Sequence, residues 1–556
     1  MSAVDRVLRA FADIDRVDRP EVWITLREPD DVLDEARQID ARVQRGETLP
    51  LAGLLVAVKD NVDVAGLPTT AGAPTFSRRP DTDATAVARL RSAGALVLGK
   101  TNLDQFATGL NGTRSPYGAV RNAWDPQRIS GGSSSGSAVA VALGLVDAAL
   151  GTDTAGSGRV PAALNGIWGV KPTKGRVPTT GVVPACRTLD CVTVFAQNRR
   201  LASFLVAIMT GPDGKDPRAR PAAQTPQTHG RVGIPTAATL GELDDGWAAA
   251  FQRAVTRFEQ AGYDIVELDI GPLLEAASLL YDGAFVAERY TAVGAEIESH
   301  PDQIGITLDA TVARIILDGA RPTAAELFRD IERLDLLRMA ADELLAGIDC
   351  LLTPTTTGHP TIAEMHADPV GANSRLGRFT NFANLLDMAS LAVPAGTIDG
   401  LPFGVMLTGP AWSDDTLAAI ADTALETHVE LFVAGAHLTG EPLNYQLTSL
   451  GARFQAATTT APRYRLHALP TSPPKPALSV AEGGEAIEGE IWEVPSGQFG
   501  TFIALVPPPL AIGTVDLADG RAVKGFIGAA GAITDALDIS ASRSWRSWLR
   551  EQAPLS

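Results

Sequence analysis

Between Gly131 and Ala162 the chain reads GGSSSGSAVAVALGLVDAALGTDTAGSGRVPA, two turns of glycine and small hydroxyl residues on either side of an apolar run. The polar groups such turns present are side-chain hydroxyls and backbone N–H groups. Glycines let the backbone approach a ligand closely, and successive N–H groups at a helix start hold an anion or a developing oxyanion. With a base nearby, that is the equipment of a nucleophilic hydrolase. No histidine is close in sequence: all seven (His229, His300, His359, His366, His428, His437, His467) lie beyond residue 228. Lys59 is another candidate base. It ends the apolar run Leu51 to Val58, which reads as a buried strand, and desolvation disfavours the ammonium form, lowering a lysine pKa as base catalysis requires. Taken alone, Lys59 reads more simply as a solvated lysine at a strand end, and GGSSSGS as a flexible linker or phosphate loop. No Gly-Lys-Ser/Thr follows at P-loop spacing, however, and a linker would not run into the mostly apolar Ala138 to Gly151.

Four segments in order, AVKDN around Lys59, GGSSSGS, TDTAGS and GVKPT (Gly169 to Thr173), resemble the amidase signature family of serine hydrolases. Carried over by position, the resemblance implies Ser157 as nucleophile, Ser133 as a bridging serine on a cis peptide, and Lys59 as base. The family's separation of twenty-four residues between the two serines selects Ser133 from Ser133, Ser134 and Ser135. A neutral lysine would take a proton from Ser133, which takes one from Ser157 as it attacks a carbonyl. Backbone N–H groups of Thr154, Ala155, Gly156 and Ser157 would form the oxyanion hole.

The elements that must position these residues follow from hydrophobic pattern. At 556 residues two domains are expected. Val4, Leu8, Phe11 and Ala12, then Val32, Ala36, Ile39 and Val43, recur at helical spacing. A strand to Lys59, a helix from Ala84 to Ala93 and a strand from Leu96 to Gly99 suggest α/β layering. Asn102 to Gly118 is loop-like, and in the family it helps to wall the acyl pocket. Gly169 to Val183 is turn-rich, and Lys171, Lys174 and Arg176 there read as a solvated loop as readily as a site. Asp244 to Ala261 reads as a helix, Ile265 to Ile270 as a strand, and LLEAASLLYDGAFVAERYTAV as one helical run with Tyr281 and Arg289 on a broad face. A strand-like CLLTPTT and a helix from Asp414 to Glu426 close this part.

Composition narrows the function classes. A formal charge of −18 argues against nucleic-acid or anionic-membrane partners, and an anionic substrate would need a local cation. Three cysteines without metal spacing indicate neither a disulfide framework nor a zinc site. No apolar run approaches the ~20 residues of a membrane span, and the N-terminus lacks a signal-like core, so a cytoplasmic protein is expected. No cofactor or metal is expected.

The residues by themselves leave Tyr281 as a core side chain and Arg289 as a surface one. The resemblance is closer, though, to the allophanate hydrolase branch of the family, which has a tyrosine and an arginine at this separation to hold a substrate carboxylate. Ala155 and Gly158, where many relatives have glycine and isoleucine, agree with that branch, although a positive φ would cost Ala155 more than glycine. After about residue 427 the composition changes to short alternating strands with turn signals. This tail resembles the branch's C-terminal domain, itself like γ-glutamyl cyclotransferases, with His437 as its candidate catalytic residue and His467 as structural.

The expected architecture is therefore an α/β/α layered amidase signature domain around a mixed sheet, residues 1–427, and a smaller β-rich α+β domain, residues 428–556. The resemblance implies hydrolysis of allophanate (urea-1-carboxylate) through N-carboxycarbamate to ammonia and carbon dioxide, in urea or triazine catabolism. It further implies a homodimer and a functional link to a separate urea carboxylase. The alternatives are an amidase of other substrate range and an ammonia-delivering amidotransferase subunit.

Overall fold

A computed structural model of the chain describes residues 2–552 apart from 426–427, 470, 472–474, 530, 532 and 534–535. The chain forms two compact units, Met1–Leu425 and Glu426–Ser556. The expected boundary at residue 427, like the Glu426 end of the last helix of the first part, lies outside the described residues.

The first unit is built on strands β1 (Trp23–Leu26), β2 (Leu55–Lys59), β3 (Leu96–Thr101), β4 (Ala148–Asp153), β5 (Trp168–Lys171), β6 (Cys191–Ala196), β7 (Arg231–Pro235), β8 (Asp264–Leu268), β9 (Cys350–Pro354), β10 (Ala389–Ile398) and β11 (Leu401–Gly409). They make one mixed sheet in the order β1-β3-β2-β4-β6-β5-β10-β11-β9-β7-β8. Pairs β2–β3, β2–β4, β7–β8 and β7–β9 are parallel. Every residue of β2, β3, β4, β6 and β9 is buried, which is why these strands read as continuous apolar runs and not as alternating ones.

Alternation survives in which core each residue enters. Val56, Val58, Leu150, Val192 and Val194 pack with the helices Thr85–Ser92, Arg199–Met209 and Trp247–Gln260. Leu55, Ala57, Ala149 and Phe195 pack on the opposite side with Ala3–Val17, Pro29–Gln44 and Ser135–Ala142. Both faces of the sheet are therefore covered by helices, the expected three layers.

Several local expectations are corrected. β2 begins at Leu55 and not at Leu51, because residues 51–53 form a turn. The first helix turns Ala3, Val7 and Ala10 inward and leaves Leu8 54% exposed. Its start is fixed by Asp40, whose carboxylate accepts the N–H groups of Ala3 and Val4 at 2.8 and 3.2 Å. Lys171, in the loop read as possibly solvated, is fully buried: its amine donates to Pro172 O at 3.1 Å and lies 3.7 Å from Cys191 Sγ.

The second unit holds a sheet of β12 (His428–Val433), β13 (Arg453–Thr459), β14 (Tyr464–Leu469), β15 (Lys475–Val480), β16 (Glu488–Pro495), β17 (Leu510–Asp516), β18 (Ala522–Gly528) and β19 (Leu537–Asp538). The order is β13-β16-β12-β18-β15-β14-β19, with β17 beside β18. Leu431, Ile491, Trp492, Val494, Phe502 and Val515 are among its core residues. His467 sits in β14 with Nε2 2.9 Å from Ser479 Oγ.

Phe195 is fully buried in β6, and its ring lies against Gly151 of β4. Phe195→Ala is expected to lower unfolding free energy by about 3–5 kcal/mol in a urea titration. A loss below about 1 kcal/mol would contradict this packing.

Candidate active site

Parallel pairing decides where the candidate base emerges. β2 and β4 run in the same direction with Val58 opposite Leu150, so Lys59 reaches the end of the sheet beside Thr152 and the turn that follows β4. Ser133 arrives at the same edge on the loop before the helix Ser135–Ala142. Lys59 Nζ lies 2.8 Å from Ser133 Oγ and 2.8 Å from Thr152 Oγ1. Asn61 Nδ2 donates to the same threonine oxygen at 3.2 Å. Lys59 is fully buried, and burial lowers its pKa to about 7 against the opposing fields of Asp104, Asp190 and Asp153. Near neutrality an appreciable share of the amine is uncharged and can accept the Ser133 hydroxyl proton.

Asp104 holds this corner. Its carboxylate accepts the N–H groups of Gly112 and Arg114 at 3.0 Å and of Asn111 at 3.2 Å, while its own N–H donates to Ser133 O. The Gly132–Ser133 peptide is cis. A Cβ on Gly132 would come within 2.2 Å of Asp104 Oδ2, so this position of the Gly/Ser turn has no room for a side chain.

The turn Thr154–Ser157 is fastened from below by a buried ion pair. Arg159 meets Asp153 through Nη2–Oδ1 at 2.8 Å and Nε–Oδ2 at 2.9 Å, both side chains inaccessible to water. Burial alone would raise the Asp153 carboxyl, but the guanidinium holds it below the usual range. Gly158 N–H also donates to Asp153, and Asn384 ties Asp153 O to Leu189 O with two bonds of 2.9 Å. Gly156, not Ala155, carries the positive φ, +155°, so alanine at 155 bears no such strain. Ser157 is 2% exposed, and its hydroxyl has no hydrogen-bond partner among the described residues.

Tyr281 and Arg289 are brought together, though not on one helix. The expected run breaks into helices Gly271–Ser278 and Ala287–Ser299, with Tyr281 in the connection. Gly283 occupies an extended conformation there, and Ala284 N–H is taken by Asp330. Arg289 is buried, not a surface residue: Nη2 donates to Tyr281 Oη at 3.0 Å and Nη1 to Thr108 Oγ1 at 2.9 Å. Its Nε has no partner, and among the described residues no carboxylate lies within ion-pair distance of it. Cys186, which lies in its field, is pushed up to about 12 by burial and stays a neutral thiol.

Asp190 connects these parts. It accepts the Thr154 hydroxyl, and the N–H groups of Ala185 and Cys186 at 3.0 and 3.3 Å. Burial raises its carboxyl to about 6, partly offset by the Thr154 bond. Sequence reasoning misses Asp104, Thr152, Thr108, Asp190 and Asn384. Asp190, an isolated acid between Leu189 and Cys191, carries the available signal, and only the fold gives these groups their partners.

His437 lies in the second unit, with Nε2 2.9 Å from Gln446 Oε1. Its ring stacks on Phe526 at 5.0 Å and meets Phe502 edge-on at 5.3 Å. Burial, reinforced by Lys475, lowers its pKa, so the imidazole is neutral near pH 7. Gly435, His437, Lys475 and Phe526 line a cavity of about 20 Å³, room for about one water. Among the described residues no group of three or more His, Cys, Asp or Glu side chains is placed to hold a metal ion, and no helix is long and apolar enough to cross a membrane.

Comparison with known proteins adds three findings. Residues 6–418 match the family model described as Amidase, and residues 429–550 the one described as Allophanate hydrolase C-terminal domain. The chain is 41% identical over 568 residues to urea amidolyase of Saccharomyces cerevisiae, covering 94% of this chain and 31% of that protein, so it spans about a third of that relative's length. It is 35% identical to a glutamyl-tRNA(Gln) amidotransferase subunit of Symbiobacterium thermophilum, over 76% of this chain and 92% of that protein. Among solved structures, Kluyveromyces lactis allophanate hydrolase superposes with a TM-score of 0.70 at 38% identity, covering 100% of this chain and 97% of that one.

The Lys59 environment sets a pH dependence. With Lys59 as the candidate base, kcat/KM for an amide substrate should rise with pH through an inflection near 7. Asp190→Asn removes a negative charge that favours the ammonium, so its inflection should move to lower pH. A pH–rate profile with the wild-type inflection above 9, or an upward shift in the variant, would contradict this arrangement.

Proposed function

We propose, on the premise that this chain belongs to the amidase family, that it hydrolyses allophanate through an acyl-enzyme on Ser157. The observation that carries the substrate class is Arg289: a buried guanidinium beside a tyrosine hydroxyl, with an unpartnered Nε and, among the described residues, no carboxylate within ion-pair distance, in an otherwise acidic chain. Such a group calls for an anion, and a carboxylate on the substrate supplies one. The likeness to allophanate hydrolase and urea amidolyase, and the C-terminal match that a plain amidase would not need, support the same reading.

In this mechanism neutral Lys59 takes the Ser133 proton as Ser133 takes that of Ser157, and Ser157 Oγ attacks the terminal amide carbonyl of allophanate. The N–H groups of the turn Thr154, Ala155, Gly156 and Ser157 receive the oxyanion, each such donor contributing roughly a hundred- to a thousandfold in rate. The proton returns along the relay to the leaving nitrogen, and ammonia departs. Water, activated the same way, cleaves the acyl-enzyme to N-carboxycarbamate. That dicarboxylate loses carbon dioxide, with neutral His437 in the second domain as the residue assigned to this step, and the remaining carbamate gives the second ammonia and carbon dioxide. Tyr281 and Arg289 hold the substrate carboxylate throughout. A urea carboxylase is the enzyme that would supply allophanate, and the cytoplasm and a homodimer are the expected setting and assembly. The amidotransferase relative covers only the amidase part of the chain and leaves the second domain without a role.

Ammonia release from fresh allophanate, beside biuret and a simple aliphatic amide, tests this reading. Wild type should prefer allophanate by several orders of magnitude and Ser157→Ala should release none. Arg289→Ala should raise KM and cut kcat/KM for allophanate by about a hundredfold or more, and equal turnover of neutral amides by wild type would overturn the assignment. With His437→Ala, ammonia from the first cleavage should still appear while N-carboxycarbamate accumulates. Loss of that first ammonia would contradict two separate sites.

A further inference from the structure

Thr108 is fully buried, and its hydroxyl accepts a hydrogen bond from Arg289 Nη1 at 2.9 Å. The hydroxyl proton goes to Phe106 O at 3.2 Å, so the oxygen meets the guanidinium as an acceptor. Its backbone is satisfied separately. The Thr108 N–H donates to Gln105 O at 2.9 Å, and Arg114 Nη1 donates to Thr108 O at 3.1 Å.

The chain that carries Thr108 is held against its own preference. Phe106 and Ala107 have φ of 49° and 53°, in the left-handed region that residues other than glycine rarely adopt. Phe106 N–H donates to Ala71 O and Gln105 N–H to Arg114 O, both at 2.8 Å, while Gln105 Nε2 reaches Gly72 O at 2.8 Å. Unfavourable backbone of this kind persists where surrounding contacts over-determine it, and it clusters at ligand clamps. The same loop touches both halves of the catalytic site. At its start Asp104 N–H donates to Ser133 O at 3.1 Å. Further on, Leu110 Cδ2 would lie 3.4 Å from a Cβ placed on Gly156, the residue before Ser157. Thr108 falls between these two points and ties Arg289 to them.

Among the described residues no carboxylate lies within ion-pair distance of Arg289, so neutral oxygens fix its direction: Thr108 at Nη1 and Tyr281 at Nη2, 3.0 Å away. A carboxylate in either place would hold the guanidinium but cancel the charge that a substrate anion needs. A hydroxyl holds it without cancelling it. We infer that Thr108 is a positioning residue whose hydroxyl keeps the Arg289 guanidinium in register with the Ser157 turn, so that it meets the substrate carboxylate, an inference that rests on the allophanate reading of the site.

The test is kcat and KM for allophanate in wild type, Thr108→Val, Thr108→Ser, Arg289→Ala and the double variant Thr108→Val/Arg289→Ala. Thr108→Val keeps the shape and removes the acceptor. Because the carboxylate is held throughout the reaction, this variant should raise KM by about 10- to 100-fold and change kcat by less than about threefold. Thr108→Ser, which keeps the hydroxyl, should stay within about threefold of wild type in both constants. In the Arg289→Ala background Thr108→Val should alter kcat/KM by less than about threefold, since no guanidinium is left to position. Thr108→Ala replaces the valine variant if that one does not fold. An unchanged KM in Thr108→Val, an equal loss in Thr108→Ser, or an equal loss in both backgrounds would reduce Thr108 to loop packing and overturn the inference while leaving an allophanate-active wild type intact. A wild type inactive on allophanate would overturn the functional reading and this inference with it.

Discussion

A lysine amine with no surface in water is tolerable at the end of β2 only because its surroundings balance two opposing demands. Desolvation presses the proton off, and the carboxylates Asp104, Asp190 and Asp153 press it back on, leaving a pKa of about 7. With fewer acids nearby the amine would stay neutral, and with an acid in direct contact it would stay an ammonium. Each of those acids is accordingly engaged elsewhere, Asp153 by Arg159, Asp104 by three backbone N–H groups, and Asp190 by Thr154 and the loop 185–186.

These engagements also build the rest of the site. Asp153 and Arg159 close the turn that carries Ser157, and Asp104 closes the loop that carries Ser133. Asp190 ties Thr154 to the loop at Cys186, while Thr188 N–H and hydroxyl reach Glu288 at 2.6 and 2.7 Å on the helix that bears Arg289. The groups that set the charge of Lys59 are thus the groups that fix its neighbours, and the charge of the site and its shape are set together. Breaking a buried pair of the Asp153–Arg159 kind costs about 3–5 kcal/mol, because it strands an uncompensated charge.

In the second unit a glutamate does comparable work for a neutral ring. Glu490 Oε2 accepts Thr439 N–H at 2.8 Å, the Thr439 hydroxyl at 2.9 Å and Trp492 Nε1 at 3.1 Å, and Arg546 meets its other oxygen at 3.2 Å. Arg546 also donates to Thr439 O. The loop after His437 is held by this network, while Phe526 and Phe502 fix the ring. The burial that lowers the His437 pKa is therefore a product of packing, with the loop geometry set independently by charge.

The sequence by itself offered the candidate residues of the site and determined the layering. Hydroxyls, glycines and an apolar strand ending in Lys59 were legible because a strand buried on both faces must be apolar throughout, and turns that approach a ligand must be small. The tail's change of pattern was legible for the same reason, since strand periodicity is local. What only tertiary structure decided is which distant groups meet. Nothing in the spacing of Tyr281 and Arg289 distinguishes one helical face from a broken connection, and in the break between Ser278 and Ala287 the tyrosine hydroxyl reaches a buried guanidinium. Whether Lys171 was solvated or part of a site stayed open in the sequence because burial of a cation depends on carbonyls and sulfur supplied by the folded chain around it. Asp104 and Asp190 gave no assignable role in the sequence because a buried acid acquires one only through the backbone N–H and hydroxyl groups that the folded loops turn toward it.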